Sequence, residues 1–308
     1  MLRSDSDCKL SRDRRGAAQR QLGTSVSSIT RPTGPPKSGR SVRKGSSGHS
    51  ARLLFTHAGL LLRVTWSDLG RRYAGSFLGV GWVVLAPAVL FGLYAAIYTL
   101  IFRVQVPGLD HGAYVVYIFS GLVPYLMTSA ALSAGVSSVV VNRSVLNSTV
   151  FPIDLAPVKA VLAAQGSMLV GMTVTIVGVV LIGRVHWTLA LVPIVWVLQM
   201  LALIGVTWIL SLINVVMRDL QTLVGLLLVI LMVASPIAYT SSMVPAALKP
   251  VILLNPLAYF VITYQHLVVL GQLPDLTTML VLVIGSIGLF VFGGWFFSRT
   301  KSVMVDYV

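Results

Sequence analysis

The amino-acid sequence predicts an all-α, polytopic membrane protein with six transmembrane helices, an N-terminal amphipathic interface helix and a re-entrant helical pair before the last span. Two observations support this prediction. Hydrophobic residues make up 56% of the chain and charged residues only 10%, a balance that a soluble protein of 308 residues could not cover with polar surface. The charge is also uneven, because residues 1–81 hold 15 of the 23 Lys and Arg.

The first predicted segment, residues 1–52, is a disordered basic tail. Arg, Lys and Asp alternate there with Ser, Gly and Pro, and no apolar period is present. No long apolar run precedes Leu53, so the segment does not have the pattern of a secretory signal. Because the basic excess is concentrated beside predicted membrane spans, it favours the anionic cytoplasmic face of a bilayer over a nucleic-acid partner.

The second predicted segment, residues 53–81, contains an amphipathic interface helix. Between residues 62 and 77, apolar side chains recur on one face at 100° per residue, while Asp68, Arg71 and Arg72 lie outside that face. The pattern favours a helix lying in the membrane surface, and the alternative is a cytosolic helix that belongs to the tail. The side chains that share the apolar face are Leu62, Trp66, Leu69, Tyr73 and Phe77.

The third predicted segment, residues 82–308, is a six-helix transmembrane domain. A helix needs about 20 apolar residues to cross the hydrocarbon core of a bilayer. Six uncharged stretches are long enough, at residues 82–102, 113–141, 160–183, 187–217, 220–248 and 276–298. Aromatic residues near their ends are typical of the membrane interface, for example Trp82, Tyr114, Trp187 and Trp295.

A seventh apolar stretch, residues 251–270, is broken by Asn255-Pro256 and carries Tyr264, Gln265 and His266. We interpret the region of about residues 250–272 as a re-entrant pair, which is tolerated at membrane depth where protein or water satisfies its backbone. With six spans, the positive-inside rule predicts that both termini are cytoplasmic. A seven-span alternative would place Arg299 and Lys301 outside.

The sequence contains few residues in arrangements that could support catalysis. The six predicted spans contain no Asp, Glu, Lys, Arg or His, which argues against a proton relay or a membrane-buried carboxylate pair. Cys8 is the only cysteine, and the five histidines are scattered, so no metal site is predicted. No Gly-Lys dipeptide occurs, so the chain lacks a P-loop and is not predicted to be an enzyme.

Five motifs occur in a fixed order along the chain. The first is the run from Asp68 to Trp82, Asp-Leu-Gly-Arg-Arg-Tyr-Ala-Gly-Ser-Phe-Leu-Gly-Val-Gly-Trp, followed by Ala86-Pro87. The later ones lie at residues 151–155 (Phe-Pro-Ile-Asp-Leu), 214–219 (Asn-Val-Val-Met-Arg-Asp), 235–239 (Ser-Pro-Ile-Ala-Tyr) and 255–259 (Asn-Pro-Leu-Ala-Tyr). The first motif resembles the opening, and the others the later landmarks, of the ABC-2-type permeases that export O-antigen, lipopolysaccharide, capsule and teichoic acid. The resemblance covers roughly residues 55–305.

The resemblance implies a multi-pass homodimer in the bacterial inner membrane, clasped from the cytoplasm by two copies of an ATP-binding subunit. ATP and Mg would be bound by that partner, and this chain would need no cofactor. The substrate would be an undecaprenyl-linked or similar lipid-linked glycan, with membrane lipid around the channel and no nucleic acid. Residues implied in coupling to the ATPase are Asp68, Arg71, Arg72, Tyr73, Arg143, Phe151, Pro152, Asp154, Arg218 and Asp219.

Tyrosine offers a flat apolar face with one hydroxyl, which suits a sugar that slides past without a fixed site. Each tyrosine is equally compatible with ordinary helix packing. The candidates for the channel or its external gate are Tyr94, Tyr98, Tyr117, Tyr125, Tyr239, Asn255, Pro256 and Tyr259.

Two other functions remain open from the sequence. The first is an ABC-2 exporter of a drug or small lipid. The second is a membrane enzyme acting on a lipid-linked sugar, which would need acidic or basic residues near the membrane surface. Against that second reading, the candidate carboxylates are far apart in the chain, at Asp110, Asp154, Asp219 and Asp275.

Overall fold

The computed structural model describes residues 76–97, 100, 108–142, 153–240 and 243–304, together with Gly59. For residues 80, 83, 84, 87, 91, 95 and 301–304 only the backbone is described. Within these ranges the chain forms helices and turns and contains no strand, so the all-α class is confirmed. The predicted basic tail and most of the predicted interface helix lie outside the described residues.

Eight α-helices are described, and four of them are long and apolar enough to cross a membrane: α2, α3, α4 with its preceding turn, and α8. They match four of the six predicted spans, and the six-span count stays a prediction. Short 3-10 turns at Gly79–Gly81, Trp187–Leu191 and Ala246–Leu248 precede α1, α4 and α6. The helices are α1 Trp82–Ala96, α2 His111–Val141, α3 Leu155–Leu181, α4 Val192–Val216, α5 Leu220–Ala234, α6 Lys249–Leu254, α7 Pro256–Gln265 and α8 Leu276–Met304.

Two predicted boundaries are corrected. The helix predicted from residue 62 does not reach Phe77, which lies fully exposed in a turn; Gly79 follows with a φ of 52°, a backbone conformation that interrupts a helix. The span predicted at residues 220–248 is too long, because α5 ends at Ala234. Pro236 cannot donate a backbone hydrogen bond and disfavours helix before it, although the run remains uncharged.

Helix α2 is the centre of the bundle. It packs against α1, α3, α4, α5 and α7, and 67% of its most apolar window is buried. Helix α3 lies antiparallel to it, as Gln165 approaches Met127 near mid-helix and Arg184, just past α3, pairs with Asp110 at 3.2 Å. Helices α2, α4 and α8 therefore start at one end of the bundle, here named the Asp110 end.

The opposite end, here named the Asp154 end, holds the start of α3 and the last turns of α4 and α8. The indole nitrogen of Trp208 donates to the carbonyl oxygen of Asp154 at 3.0 Å, and the Trp208 ring packs on Phe290 and Phe297 of α8. Helices α4 and α8 cross very closely: a Cβ added to Gly205 would collide with the backbone of Leu289, and one added to Gly293 with the backbone of Gly205. Small residues permit such backbone approach between membrane helices.

Helices α6 and α7 form the bent pair that the sequence predicts. Their apolar segments, Ala246–Leu254 and Pro256–Leu270, meet at an angle of 99° around Asn255. Lys249 at the start of α6, His266 after α7 and Asp275 before α8 line one cavity. Both limbs reach this cavity, a geometry that fits the predicted re-entrant pair; that interpretation stays a prediction, because a broken span has the same kind of bend. A π-helical turn, His266–Leu270, and Gly271 in the left-handed region end the second limb.

Candidate functional site

The apex of the re-entrant pair is held by Asn255. Its side-chain oxygen accepts from the backbone nitrogen of Leu257 at 2.9 Å, which caps α7, and Pro256 occupies the first turn, where its missing N–H costs nothing. The side-chain nitrogen donates to the Ser235 hydroxyl at 2.9 Å and to the Leu231 carbonyl at 3.2 Å. Asn255 is 2% exposed, so two landmarks distant in sequence form one buried junction.

A second junction joins α7 to the same loop. The Gln265 side chain donates to the carbonyl oxygens of Pro236 and Ile237 at 2.9 and 3.0 Å, and the Tyr114 hydroxyl donates to Ala238 at 2.9 Å. The loop at residues 235–239 thus obtains from side chains the hydrogen bonds that a helix would have supplied. Gly121 on α2 lets Gln265 approach, because a Cβ there would lie 2.8 Å from the Gln265 amide nitrogen.

Sequence reasoning missed the buried polar centre of the bundle. Gln199 on α4 donates to the Thr128 hydroxyl at 2.8 Å and to the Pro124 carbonyl at 3.1 Å, and it accepts from the Tyr264 hydroxyl at 3.0 Å. We call these four residues the Gln199 network. All three side chains that form it are at most 2% exposed. The only sequence signals were a glutamine inside an apolar run and a proline inside α2.

A neighbouring glutamine joins α3 to α4. The Trp196 indole nitrogen donates to the side-chain oxygen of Gln165 at 2.6 Å, and the Gln165 nitrogen donates to the Val161 carbonyl at 2.8 Å. Together with the Gln199 network, this contact places two uncharged amides at the junctions of α2, α3, α4 and α7. Such groups can hold helices in register without the desolvation cost of buried charge.

The tyrosine candidates occupy different environments. Tyr117 and Tyr125 are each 3% exposed within the protomer, and the Tyr125 hydroxyl donates to the Leu228 carbonyl on α5. The Tyr94 hydroxyl lies 3.6 Å from the Met232 sulfur. Tyr239 and Tyr259 donate to the carbonyls of Val233 and Leu253 at 3.2 and 2.9 Å. Tyr98 is outside the described residues. These contacts account for helix packing, and a role in a channel stays a prediction.

Three of the predicted coupling residues are described, and all lie at the Asp154 end. Asp154 is buried and precedes α3, whereas Arg218 and Asp219 are exposed in the turn between α4 and α5. Arg299 is also exposed near the end of α8. The other seven predicted coupling residues, Asp68, Arg71, Arg72, Tyr73, Arg143, Phe151 and Pro152, lie outside the described residues.

The Asp110 end carries a different set of charges. The ion pair of Arg184 with Asp110 is largely exposed, so it contributes little to stability. Asp275 precedes α8 and accepts from the Thr278 hydroxyl at 2.8 Å and the Thr278 backbone nitrogen at 3.1 Å; the hydroxyl bond lowers the pKa of the Asp275 carboxyl. Within the described part of the chain, no group of three or more His, Cys, Asp or Glu could hold a metal ion.

Comparison with known proteins identifies three similar permeases. No protein-family model matches the chain. Three curated relatives do, and each is named O-antigen export system permease protein RfbA. The relative from Myxococcus xanthus is 29% identical over 239 residues, which cover 77% of this chain and 90% of the relative. Two from Klebsiella pneumoniae are 29% and 27% identical over 217 residues, covering 70% of this chain and 82% of each relative.

The likeness and the landmarks agree. The aligned portions are long enough to include most of the helical bundle, and the re-entrant pair lies where the resemblance implies it. The resemblance to the ABC-2-type permeases of polysaccharide export, inferred from the sequence, is therefore confirmed.

Proposed function

We propose that this chain is the transmembrane, channel-forming subunit of an ATP-driven exporter that moves a lipid-linked, O-antigen-like polysaccharide across the bacterial inner membrane. The observation that carries the proposal is the likeness to three O-antigen export permeases over 70–77% of the chain. The chemistry of the bundle supports it, because the hydrogen bonds that join α2, α3, α4 and α7 near mid-bundle run between uncharged amides, hydroxyls and an indole. A neutral polymer needs no charged relay for its passage.

The energy for transport comes, in this proposal, from a separate ATP-binding subunit. The chain has no P-loop of its own, so ATP and Mg are bound by that partner. Two copies of the partner clasp a homodimer of this chain at the Asp154 end. The exposed Arg218, Asp219 and Arg299 supply charged contacts there, and the buried Asp154 ties the start of α3 to Trp208 of α4.

The distribution of charge supports an orientation in which the Asp154 end faces the cytoplasm. Lys159, Arg218, Arg299 and Lys301 belong to that end, and Arg184 and Lys249 to the other. Basic residues are retained on the cytoplasmic side of membrane proteins. Both termini are then cytoplasmic, and the re-entrant pair lies at the external mouth of a channel along the dimer axis.

Co-purification tests the proposal. The tagged chain is extracted from native membranes with mild detergent, and a P-loop ATPase is expected in stoichiometric amount. The double variant Arg218→Glu with Asp219→Lys reverses both charges of the α4–α5 turn. It should reduce the amount of co-purified ATPase at least several-fold. Arg184→Glu, a matched charge reversal at the Asp110 end, should not.

Loss of the gene product tests the cargo. A strain without the chain should lose surface polysaccharide and accumulate lipid-linked glycan inside, and wild-type expression should restore export. Intact surface polysaccharide in the deletion strain, or an active chain recovered without any ATPase, would contradict the proposal.

A further inference from the structure

A cavity at the Asp110 end separates the two limbs of the re-entrant pair from the start of α8. Its volume is about 460 Å³, within the range of about 300–1,000 Å³ that small-molecule sites occupy. We call it the re-entrant cavity. Its polar lining comes from Lys249, Tyr259, His266, Asp275 and Thr278, and Ile252 and Ile262 contribute apolar wall.

Three polar side chains of this lining have donors or acceptors that the described residues do not use. Lys249 is exposed and makes no ion pair with the described residues, so its three donors are available. Asp275 accepts from Thr278 with both oxygens and also from its own backbone nitrogen, so about one of the roughly four lone-pair sites of the carboxylate remains. The His266 Nδ1 is buried beside the cavity with no hydrogen-bond partner among the described residues. Donors and acceptors therefore coexist at a single opening.

An aromatic wall is oriented beside these groups. The Tyr259 hydroxyl donates to the Leu253 carbonyl at 2.9 Å, which restrains the ring, and the Tyr259 side chain lines the cavity. A flat apolar face next to mixed donors and acceptors suits a ring with apolar C–H faces and hydroxyls around its edge. An anion is a poorer match, because the Asp275 carboxylate shares the lining with the single ammonium of Lys249. A lipid chain is also poorer, because burying these polar groups against hydrocarbon leaves them unpaired.

We propose that the re-entrant cavity is a binding subsite for one uncharged pyranose unit. In it, Lys249 donates to ring hydroxyls, Asp275 accepts from them, and the sugar packs on the Tyr259 ring. The inference rests on the proposed function for its physiological ligand, the exported glycan. The existence of the subsite itself is a property of this chain and can be measured without transport.

Saturation-transfer-difference NMR on the full-length chain in nanodiscs tests the subsite. The probes are galactose, mannose, glucose, rhamnose and N-acetylglucosamine, each in separate samples. At least one sugar should receive saturation from the protein, and Lys249→Met and Asp275→Asn should each reduce that signal at least twofold. Asp275→Asn keeps an oxygen that can cap α8, so a loss of signal is not a loss of the helix start.

Matched controls lie outside the cavity. Arg184→Met removes a cation from the same end of the bundle, and Leu254→Ala truncates an exposed side chain of α6; neither should alter the signal. All variants are compared after size-exclusion chromatography shows the same monodisperse species. Absence of signal for every sugar, or equal signal in the cavity variants and the controls, overturns the proposal.

The two proposals fail separately. If the deletion strain loses surface polysaccharide while the cavity variants bind sugar like wild type, the subsite is wrong and the exporter stands. If the cavity variants lose sugar binding while the deletion strain keeps its surface polysaccharide, the subsite stands and the exporter assignment falls.

Discussion

Helices α2 and α8 are both long, uncharged through the middle and apolar, yet they occupy opposite environments. Of the most apolar window of α2, 67% is buried in the protein, against 22% for α8, although α8 is the more hydrophobic. In water, the more hydrophobic helix would be expected to lie deeper. In a bilayer the lipid is as apolar as leucine, so packing and hydrogen bonding decide which helix is central.

The two helices differ in the kind of contact that they make with the rest of the protein. Helix α2 contributes Tyr114, Thr128 and the Pro124 carbonyl to contacts with two other segments, the loop after α5 and helix α4. Helix α8 packs mainly on α4, through glycine backbone and the rings that surround Trp208. The outward face of α8, including Ile284, Val291 and Phe292, is left for lipid or a second chain.

The largest expected effect comes from the one close crossing that α8 makes. Gly205→Ala or Gly293→Ala should lower stability by about 3 kcal/mol, because the new Cβ meets backbone that cannot rotate away. The measurement is the midpoint of thermal unfolding of the purified chain in detergent. Gly285→Ala and Gly288→Ala are matched controls on α8, since a Cβ at either meets nothing within 4 Å. If the controls are equally damaging, a second chain packs against that face of α8.

A smaller effect is expected from the Gln199 network at the centre of α2. Gln199→Leu should cost about 2 kcal/mol, because it leaves the Thr128 and Tyr264 hydroxyls without their partner in an apolar interior. The control is Gln221→Leu on the exposed side of α5. Thermal unfolding in detergent measures both. Equal midpoints for the two variants would show that the network does not hold α2 in place.

The apex of the re-entrant pair ranks third. Asn255→Ala removes the cap of α7 and the bond to Ser235, and should cost about 1 kcal/mol. Limited proteolysis from the Asp110 end should cleave the pair faster in this variant. Asn142→Ala, which removes one bond within the last turn of α2, is the control. Unchanged cleavage in Asn255→Ala would contradict the role of the cap.

The smallest effect is at the start of α8. Because the pKa of Asp275 is lowered in the folded chain, its contribution is present above the usual value of 3.8 and is lost as the pH falls through the folded value. Asp275→Ala should therefore cost a few tenths of a kcal/mol at neutral pH, since the group is mostly exposed, and nothing at low pH. Thermal midpoints against pH measure this. Asp219→Ala, at a helix start without a side-chain cap, controls for loss of charge. If the loss of stability in Asp275→Ala is the same at every pH, the prediction is wrong.

How much the sequence reveals differs from helix to helix. The bounds predicted for α2, α4 and α8 are close to those observed. A long uncharged run flanked by charged residues leaves few alternative positions at which a membrane helix can begin or end. Helix α3 begins at Leu155, ahead of the predicted residue 160, because Lys159 at a helix end can reach the membrane surface. The length of α5 was overestimated because hydropathy does not detect the helix break at Ser235-Pro236.

The candidate site divides in the same way. Asn255 and Pro256 were found because Asn-Pro is itself a start signal for a helix. The role of Gln199 was missed because its hydrogen-bond partners, at residues 124, 128 and 264, are distant in the sequence. A glutamine in an apolar run gives no indication of which residues it will contact. The sequence does not predict that Lys249 and Asp275 line one cavity, since nothing in it brings the start of α6 to the start of α8.

By itself, the sequence determined that the chain is helical and lies in a membrane, approximately where α2, α4 and α8 begin and end, and which family it resembles. These follow from local physics, because backbone polar groups in hydrocarbon must be satisfied within each helix. Only the tertiary structure decided that α2 is central, that α4 and α8 touch at glycine, and that the bent pair and the start of α8 line one cavity. Those depend on pairings between distant residues, and a uniformly apolar pattern leaves such pairings open.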